Sequence, residues 1–232
     1  MNNFFTDLFN EYSLKARLYP AVLCSLPFVI LKVVLVDTYI PGITEKILTF
    51  TLAGVPIWAV LVYFLTQINR FVSKTFFENK NDFPTQRMLM PSGGRGMSKN
   101  MREKIGERVE KDFGLALPNL HDENVDVEDT KTRIKEIVGM IITKVGRGTL
   151  LLQHNLEYGF VRNLMGGSVV ASIVALADIA IFKWILPNHT AFVLSIILLI
   201  CYIVPIVFSR PVLKSYSQEY AEKLFREYLG LV

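Results

Sequence analysis

The chain has 232 residues, of which 51% are hydrophobic and 20% charged, and its net charge is +4. Its apolar residues are concentrated in long segments, as expected of a multi-pass membrane protein that also carries a soluble part. Cys24 and Cys201 are the only cysteines and share no spacing motif. The composition therefore argues against a disulfide framework and a cysteine metal site, and no cofactor is predicted.

Four windows of the sequence are apolar and long enough to cross a bilayer as helices. Each covers about 18–22 residues, which at about 1.5 Å per residue spans a hydrocarbon core of about 30 Å. No strand-like alternation is convincing, so we expect an all-α protein with two plus two transmembrane helices and a helical domain inserted between spans 2 and 3. The windows are Tyr19–Val36, Ile47–Ile68, Ser168–Leu186 and Ala191–Phe208.

The positions of lysine and arginine predict the topology. Lys15 and Arg17 precede the first span, Arg70 follows the second and Arg210 follows the fourth, whereas the loop 187–190 has no lysine or arginine. The positive-inside rule places the N-terminus, the central region and the C-terminal tail in the cytoplasm. The expected organisation is an amphipathic helix in 1–18, spans 1 and 2 in 19–68, a helical cytoplasmic domain in 69–165, spans 3 and 4 in 166–208, and a C-terminal amphipathic helix in 209–232.

The stretch Thr149–Leu186 organises the chain, since it begins polar and becomes apolar after Gly166–Gly167. It predicts one long helix, or two halves hinged at the glycines, that leaves the cytoplasm and crosses the bilayer. The glycine pair would allow either a bend or a close helix approach at the inner mouth. This stretch would couple the cytosolic part to the membrane part.

Two charged residues are predicted deep in the bilayer. Lys32 and Asp178 lie at similar depth, roughly 18–20 Å from the inner end of their spans at helical rise. Because a charge at that depth costs at least about 2.5–3.5 kcal/mol, we expect a partner or an aqueous lumen. Two interpretations remain open: a Lys32–Asp178 pair, within or between subunits, that only sets helix register, and a pore-lining or gating role.

A polar patch is predicted just below the third span. His154, Tyr158 and Arg162 are spaced four apart and share a helical face. The patch lacks a nucleophile, and one histidine with Glu157 is not a metal site. It is either a buried network of hydrogen bonds between helices or a gating or ligand site.

Basic residues surround a glycine-rich turn, 91–98, which feeds a helix capped by Ser98. The turn is either a mobile loop or a site where backbone N–H groups meet a phosphate. The acidic stretch 121–129 is expected to be a solvated loop that ends in a helix N-cap rather than a calcium loop. The residues assigned to ligand binding are Arg87, Arg95, Lys99, Arg102 and Arg147.

The layout and the block Gln153-His-Asn-x-x-Tyr-Gly-Phe-x-Arg-Asn-Leu164 resemble small multi-pass membrane effectors of bacterial anti-phage nucleotide-signalling systems, in particular those of the Hailong system. The resemblance implies a homotetrameric ion channel of the inner membrane. It further implies control by a single-stranded nucleotide oligomer that a partner nucleotidyltransferase makes and that holds the channel shut. Loss of the oligomer would cause depolarisation and growth arrest.

Oligomerisation is also expected because a few short amphipathic helices make a poor independent core. Two other classes remain open: a membrane-bound hydrolase using His154 or His121, and a small transporter or scaffold subunit. A channel effector is not an enzyme and has membrane lipid as a further partner. Its pore or gating residues would be Lys32, Asp178, Gly166, Gly167, His154, Tyr158 and Arg162.

Overall fold

The computed structural model of the chain describes residues 11–36, 51–52, 55–77, 83–92, 96–146 and 149–231. The prediction of an all-α protein is confirmed, because these residues are helical apart from connections and one antiparallel pair of two-residue strands, β1 (Thr51–Leu52) and β2 (Val55–Pro56). The chain divides into two compact units. The first unit contains 1–78 and 156–213, and the second contains 79–155 and 214–232.

The first unit is built from apolar helices. Two of its helices, α9 and α11, also supply residues to the second unit. Besides β1 and β2, the described elements that contribute to the first unit are α1 (Glu11–Ser13), a π-helical segment (Leu14–Leu18), α2 (Tyr19–Cys24), α3 (Leu26–Leu31), a second π-helical segment (Lys32–Val36), α4 (Ile57–Phe76), α9 (Thr149–Ala180), a third π-helical segment (Ile181–Ile185), α10 (His189–Val207) and α11 (Ser209–Gly230).

Two helical stretches of the described residues, Leu151–Ile185 and His189–Val207, are long and apolar enough to cross a membrane. A third candidate exists if the bent pair Leu14–Cys24 and Leu26–Val34 counts as one span. These stretches are consistent with membrane insertion. The predicted second span, Ile47–Ile68, is wrong in its first part: residues 47–50 lie outside the described residues, and Thr51–Leu52 and Val55–Pro56 form β1 and β2. The helix α4 begins only at Ile57 and continues to Phe76.

The first predicted span is bent by 42° at Ser25. Pro27 has no N–H to donate to the carbonyl of Leu23, so the helical hydrogen-bond ladder is interrupted at this point. The hydroxyl of Tyr202 on α10 donates to that carbonyl at 2.7 Å. The backbone group that the proline leaves free is therefore satisfied by a side chain of another helix, as a lipid environment requires.

The second unit has its own apolar core. It contains α5 (Pro84–Leu89), α6 (Lys99–Phe113), α7 (Leu120–Val125), α8 (Val127–Val145), the first residues of α9 and most of α11. Apolar residues at helical spacing on α6, α8 and α11 fill this core. Its buried members include Leu89, Ile105, Val109, Ile134, Ile141, Leu224, Phe225 and Tyr228.

Local capping explains where the helices of the second unit begin and end. Ser98 Oγ accepts from Met101 N, and Gly114 ends α6 in the left-handed conformation at φ 68°. The prediction for residues 121–129 is wrong about the loop, since most of the stretch is helical, whereas the predicted helix N-cap is confirmed at Asp126. Asn119 caps α7 with a capping box, and Asp126 is the N-cap of α8.

An ion cluster ties α6 to α8 and α11. Asp112 accepts from Arg108 Nε at 2.9 Å and from Lys144 Nζ at 2.7 Å. The Arg108 guanidinium lies over the Tyr228 ring, 5.9 Å from its centroid. Lys144, and next Arg108, hold the pKa of the Asp112 carboxyl well below its usual range. Burial, followed by the Asp112 charge, raises the pKa of the Tyr228 hydroxyl.

We expect Asp112→Asn to destabilise the second unit at pH 7. Because folding lowers the pKa of Asp112, its stabilising contribution is complete well above the unfolded value of about 3.9 and declines as the pH falls further. Thermal unfolding of the detergent-solubilised chain, followed by circular dichroism, should show a gap between wild type and variant that narrows below about pH 4. Glu110→Gln, at an exposed position of α6, is the control. An equal gap at pH 7 and pH 3 would contradict this assignment.

Candidate functional site

Helix α9 carries most of the residues predicted to act in gating. It runs without a break from Thr149 to Ala180, so the stretch forms one long helix and not two halves hinged at Gly166–Gly167. Its residues up to Asn155 belong to the second unit, and those from Leu156 belong to the first.

The glycine pair of α9 permits a close approach of other helices. A Cβ atom at Gly166 would collide with the backbone oxygen of Asn69 and would lie 2.7 Å from Ser73 Cβ, both on α4. A Cβ atom at Gly167 would lie 2.6 Å from the sulfur of Cys24 on α2. Each glycine is therefore required because another chain segment occupies the space of a side chain, which is the packing function that small residues have in membrane helices.

The N-terminal segment is held on the same helix by a buried side chain that sequence reasoning missed. Asn163 Nδ2 donates to the backbone oxygen of Ala16 at 2.6 Å, and both residues are buried. One turn earlier, a Cβ atom at Gly159 would lie 2.8 Å from Ala16 Cβ. The spacing of Gly159, Asn163 and Gly166–Gly167 along one helix was the available signal for this contact face.

The predicted patch of His154, Tyr158 and Arg162 is divided between the units. In the first unit, the Arg162 guanidinium lies over the Tyr158 ring, 5.5 Å from its centroid. In the second unit, His154 Nε2 lies 2.8 Å from the backbone oxygen of Tyr216, and Nδ1 lies 3.2 Å from Lys223 Nζ. An ammonium group can only donate, so Nδ1 accepts and Nε2 carries the proton given to Tyr216.

The environment of His154 is that of a buried network of hydrogen bonds between helices. The imidazole is 1% exposed, and the rings of Tyr216 and Tyr220 lie 5.6 and 6.0 Å from it. Both ring nitrogens are engaged, so no observation favours His154 as the base of a hydrolase. His121 is exposed near the start of α7, and among the described residues no group of three or more His, Cys, Asp or Glu could hold a metal ion.

Asp178 is completely buried on α9. Neither carboxylate oxygen has a hydrogen-bond partner among the described residues. The within-chain contact with Lys32 is therefore not formed, although Lys32 is half-buried in the second π-helical segment and takes part in other interactions. The open alternatives for Asp178 are a group on another copy of the chain and water.

One residue assigned to ligand binding has a structural role instead. Arg102 Nε donates to the backbone oxygen of Leu89 at 3.0 Å, and its Nη2 donates to that of Pro118 at 2.6 Å. Burial lowers the pKa of this guanidinium, an effect that the charge of Glu123 opposes. Arg102 thus joins the end of α5 to the connection before α7, because two of its N–H donors are directed at backbone carbonyl groups.

The structure describes two of the other four predicted ligand-binding residues, and these two differ in exposure. Lys99 is exposed in the first turn of α6, and Arg87 is half-buried on α5 with its side chain engaged in contacts. Arg95 and Arg147 lie outside the described residues. Of the five, Lys99 is the side chain that the structure shows to be exposed.

A cavity of about 350 Å³ lies at the start of α6. Residues of the glycine-rich turn and residues of α11 form its wall, and the α11 residues were not foreseen from the sequence. Arg226 Nη2 lies 3.7 Å from a Glu222 carboxylate oxygen at its edge, in an exposed ion pair. The lining residues are Gly96, Met97, Ser98, Met101, Glu222, Phe225 and Arg226.

The glycine-rich turn is anchored at its first residues. Glu123 is buried, and its carboxylate accepts from Ser92 N at 2.8 Å and from the Ser92 hydroxyl. The acidic stretch that was expected to be solvated thus contributes a structural carboxylate. Ser92 and Glu123 are distant in sequence, so no local pattern indicated this contact.

No protein-family model, no curated protein and no solved structure matches this chain. The candidate site therefore rests on the residues of this chain and on their contacts.

We expect Gly166→Ala to destabilise the first unit by about 1–3 kcal/mol, because its Cβ must displace backbone rather than a flexible side chain. The matched control is Gly139→Ala on α8, where nothing lies within 4 Å of an added Cβ. That variant should be neutral or about 0.5–1 kcal/mol more stable, because alanine suits a helix interior better than glycine. Equal melting temperatures of the two purified variants in detergent would contradict the close approach.

Proposed function

We propose that this chain is an ion-channel effector of the bacterial inner membrane that acts in anti-phage defence. It crosses the membrane four times with both termini in the cytoplasm and assembles as a homo-oligomer, with a tetramer favoured. The observation that carries the proposal is a buried carboxylate, Asp178, on the apolar part of α9, since ionisable groups inside a membrane usually serve ion or proton pathways.

The proposed topology combines the structure with the charge pattern. Candidate spans in the described residues account for two or three crossings. Where three are counted, the remaining crossing would be formed by α4, Ile57–Phe76, which overlaps the predicted second span only from Ile57 onwards. An even number of spans agrees with basic residues near both termini and in the central region.

The proposed ligand is a single-stranded nucleotide oligomer that binds the second unit. The cavity supports this because its wall includes Ser98, the N-cap of α6, where the first N–H groups of a helix favour an anion, and Arg226, which adds a cation. The oligomer would hold the channel closed. Since α9 and α11 contribute residues to both units, a change in their position would alter the membrane helices as well.

Expression of the chain without a nucleotidyltransferase should depolarise bacterial cells and arrest their growth. Membrane potential would be followed with a potentiometric dye, with immunoblotting of the membrane fraction to verify insertion. Co-expression of the partner nucleotidyltransferase should restore the potential. An unchanged potential with verified membrane insertion would count against a channel.

Lys99→Gln and Arg226→Gln should each weaken binding of a single-stranded DNA oligomer to the purified full-length chain. Each lost phosphate contact should also reduce the slope of log affinity against log salt by about 0.7. Fluorescence anisotropy over a salt series would measure both quantities. Lys104→Gln, at an exposed position of α6 outside the cavity wall, is the matched control. Variants that bind with the wild-type salt slope would place the ligand elsewhere.

A further inference from the structure

The side of α4 that faces away from α9 carries cations and exposed aromatic rings. Asn69 and Ser73 are buried against Gly166, so they mark the side of α4 that packs against α9. At about 100° per residue, Phe71 lies almost opposite both of them around the helix. Its ring is 70% exposed, which agrees with a face directed away from the protein.

Four residues at the C-terminal half of α4 share this outward face, within about 120° of the helix circumference. They are Phe64, Arg70, Phe71 and Lys74, and they are called the Phe71 face below. The ring of Phe64 is 63% exposed, Lys74 is exposed and Arg70 is half-buried. Because Arg70 and Lys74 are four residues apart, their side chains are neighbours one turn apart, with Phe71 beside them.

The two cations of the Phe71 face lack an acidic partner. Helix α4 contains no aspartate or glutamate, and neither Arg70 nor Lys74 forms an ion pair with another described residue. Two like charges one turn apart repel each other, and an anion between them relieves that repulsion. The described residues of the first unit include eight lysines or arginines but three acidic residues, Glu11, Glu157 and Asp178.

Two cation–aromatic pairs on α9 are spaced like the two surfaces of a bilayer. The Arg162 guanidinium lies 5.5 Å from the centroid of the Tyr158 ring, and Lys183 Nζ lies 5.2 Å from that of Trp184. From residue 162 to residue 183 the helix extends about 32 Å, close to a hydrocarbon core of about 30 Å. Cations and amphipathic aromatic rings are typical of both membrane surfaces.

The same spacing places the cations of α4 near the cytoplasmic surface. Gly166 lies one turn from Arg162 toward the apolar part of α9, and a Cβ atom there would lie 2.7 Å from Ser73 Cβ. Arg70 and Lys74 flank Ser73 within one turn. Their long side chains can therefore reach the phosphate groups at that surface.

We propose that the Phe71 face binds an anionic phospholipid of the inner leaflet, with its phosphate between Arg70 and Lys74. One acyl chain then lies along the exposed rings of Phe64 and Phe71. This inference rests on the proposed topology, in which α4 ends at the cytoplasmic surface.

A phospholipid matches both parts of the Phe71 face. It supplies an anion for the guanidinium and ammonium groups and hydrocarbon for the exposed rings. A water-soluble phosphate would leave the rings in water. A second copy of the chain would bury two cations although its first unit offers few carboxylates, one of which, Asp178, is completely buried.

Quenching of tryptophan fluorescence by brominated phospholipids tests this site in bilayers. The reporter is the full-length chain with Phe71→Trp, in which Trp58→Phe and Trp184→Phe remove the native indole groups. Brominated phosphatidylglycerol or brominated phosphatidylcholine is mixed at the same mole fraction into vesicles of unlabelled phosphatidylcholine. Because one cation near a membrane surface favours an anionic lipid by about fivefold, phosphatidylglycerol should bind at least fivefold more tightly than phosphatidylcholine.

Charge variants of the reporter chain test the two cations. Arg70→Gln together with Lys74→Gln should reduce the preference for phosphatidylglycerol to less than twofold. Lys183→Gln removes an exposed cation near the other end of the α9 crossing, so it is the matched control and should leave the preference unchanged. Equal binding of the two lipids, a preference that persists in the double variant, or an equal loss in Lys183→Gln would overturn the site.

A second reporter separates this inference from the proposed function. It keeps Trp184, which is 70% exposed, and carries Trp58→Phe. If the lipids quench Trp184 but not the Phe71→Trp reporter, protein covers the Phe71 face, and the lipid site is overturned while the channel stands. If neither reporter is quenched by either lipid, the chain does not enter the bilayer, and the proposed function is overturned as well.

Discussion

The close contact of α9 with α4 and α2 at Gly166 and Gly167 is the constraint on which the first unit depends. Helices in lipid gain little from the hydrophobic effect, so their association depends on packing and on hydrogen bonds between helices. Here the backbone of Asn69 occupies the space of a side chain at Gly166, and the sulfur of Cys24 occupies that space at Gly167. The same approach buries the Asn69 amide against α9 at Gly167, so close packing places a polar side chain in the interior of the unit.

In the first unit, free backbone carbonyl groups find hydrogen-bond donors, whereas some buried side chains lack hydrogen-bond partners among the described residues. The Leu23 carbonyl, which Pro27 leaves without a donor, receives the Tyr202 hydroxyl, and the Ala16 carbonyl receives the Asn163 amide. Such hydrogen bonds from side chains are expected where no water can donate to the free backbone carbonyl groups. The side-chain atoms of Asn69, Ser172 and Asp178 that have no hydrogen-bond partner among the described residues are exceptions to this compensation. An exception of this kind is expected at a functional position rather than in a structural core.

Local signals in the sequence predicted the helices well, and non-local contacts explain the rest. The Ser98 cap, the end of α6 at Gly114 and the long helix Thr149–Ala180 follow from residue type and spacing. By contrast, Tyr202 contacts a residue 179 positions away, and Lys223 reaches His154 over 69 positions. Sequence spacing also cannot separate an exposed cation from one that donates to carbonyl groups, which is why Arg102 was assigned to a ligand. The partners of Asp178 depend on packing and could not be predicted either.

The structural role of Arg102 changes how an anionic ligand could act on the second unit. The cation in the cavity wall is then Arg226, which is paired with Glu222, and Lys99 is the exposed residue that follows Ser98 of the wall. That ion pair is exposed, so it is worth at most about 1 kcal/mol and a phosphate can replace the carboxylate. Binding would therefore separate Glu222 from Arg226 on α11, a helix that also contributes Ser209–Leu213 to the first unit. A ligand that recruits Arg226 would then favour one arrangement of α11 over another, which is the differential interaction that any gating ligand requires.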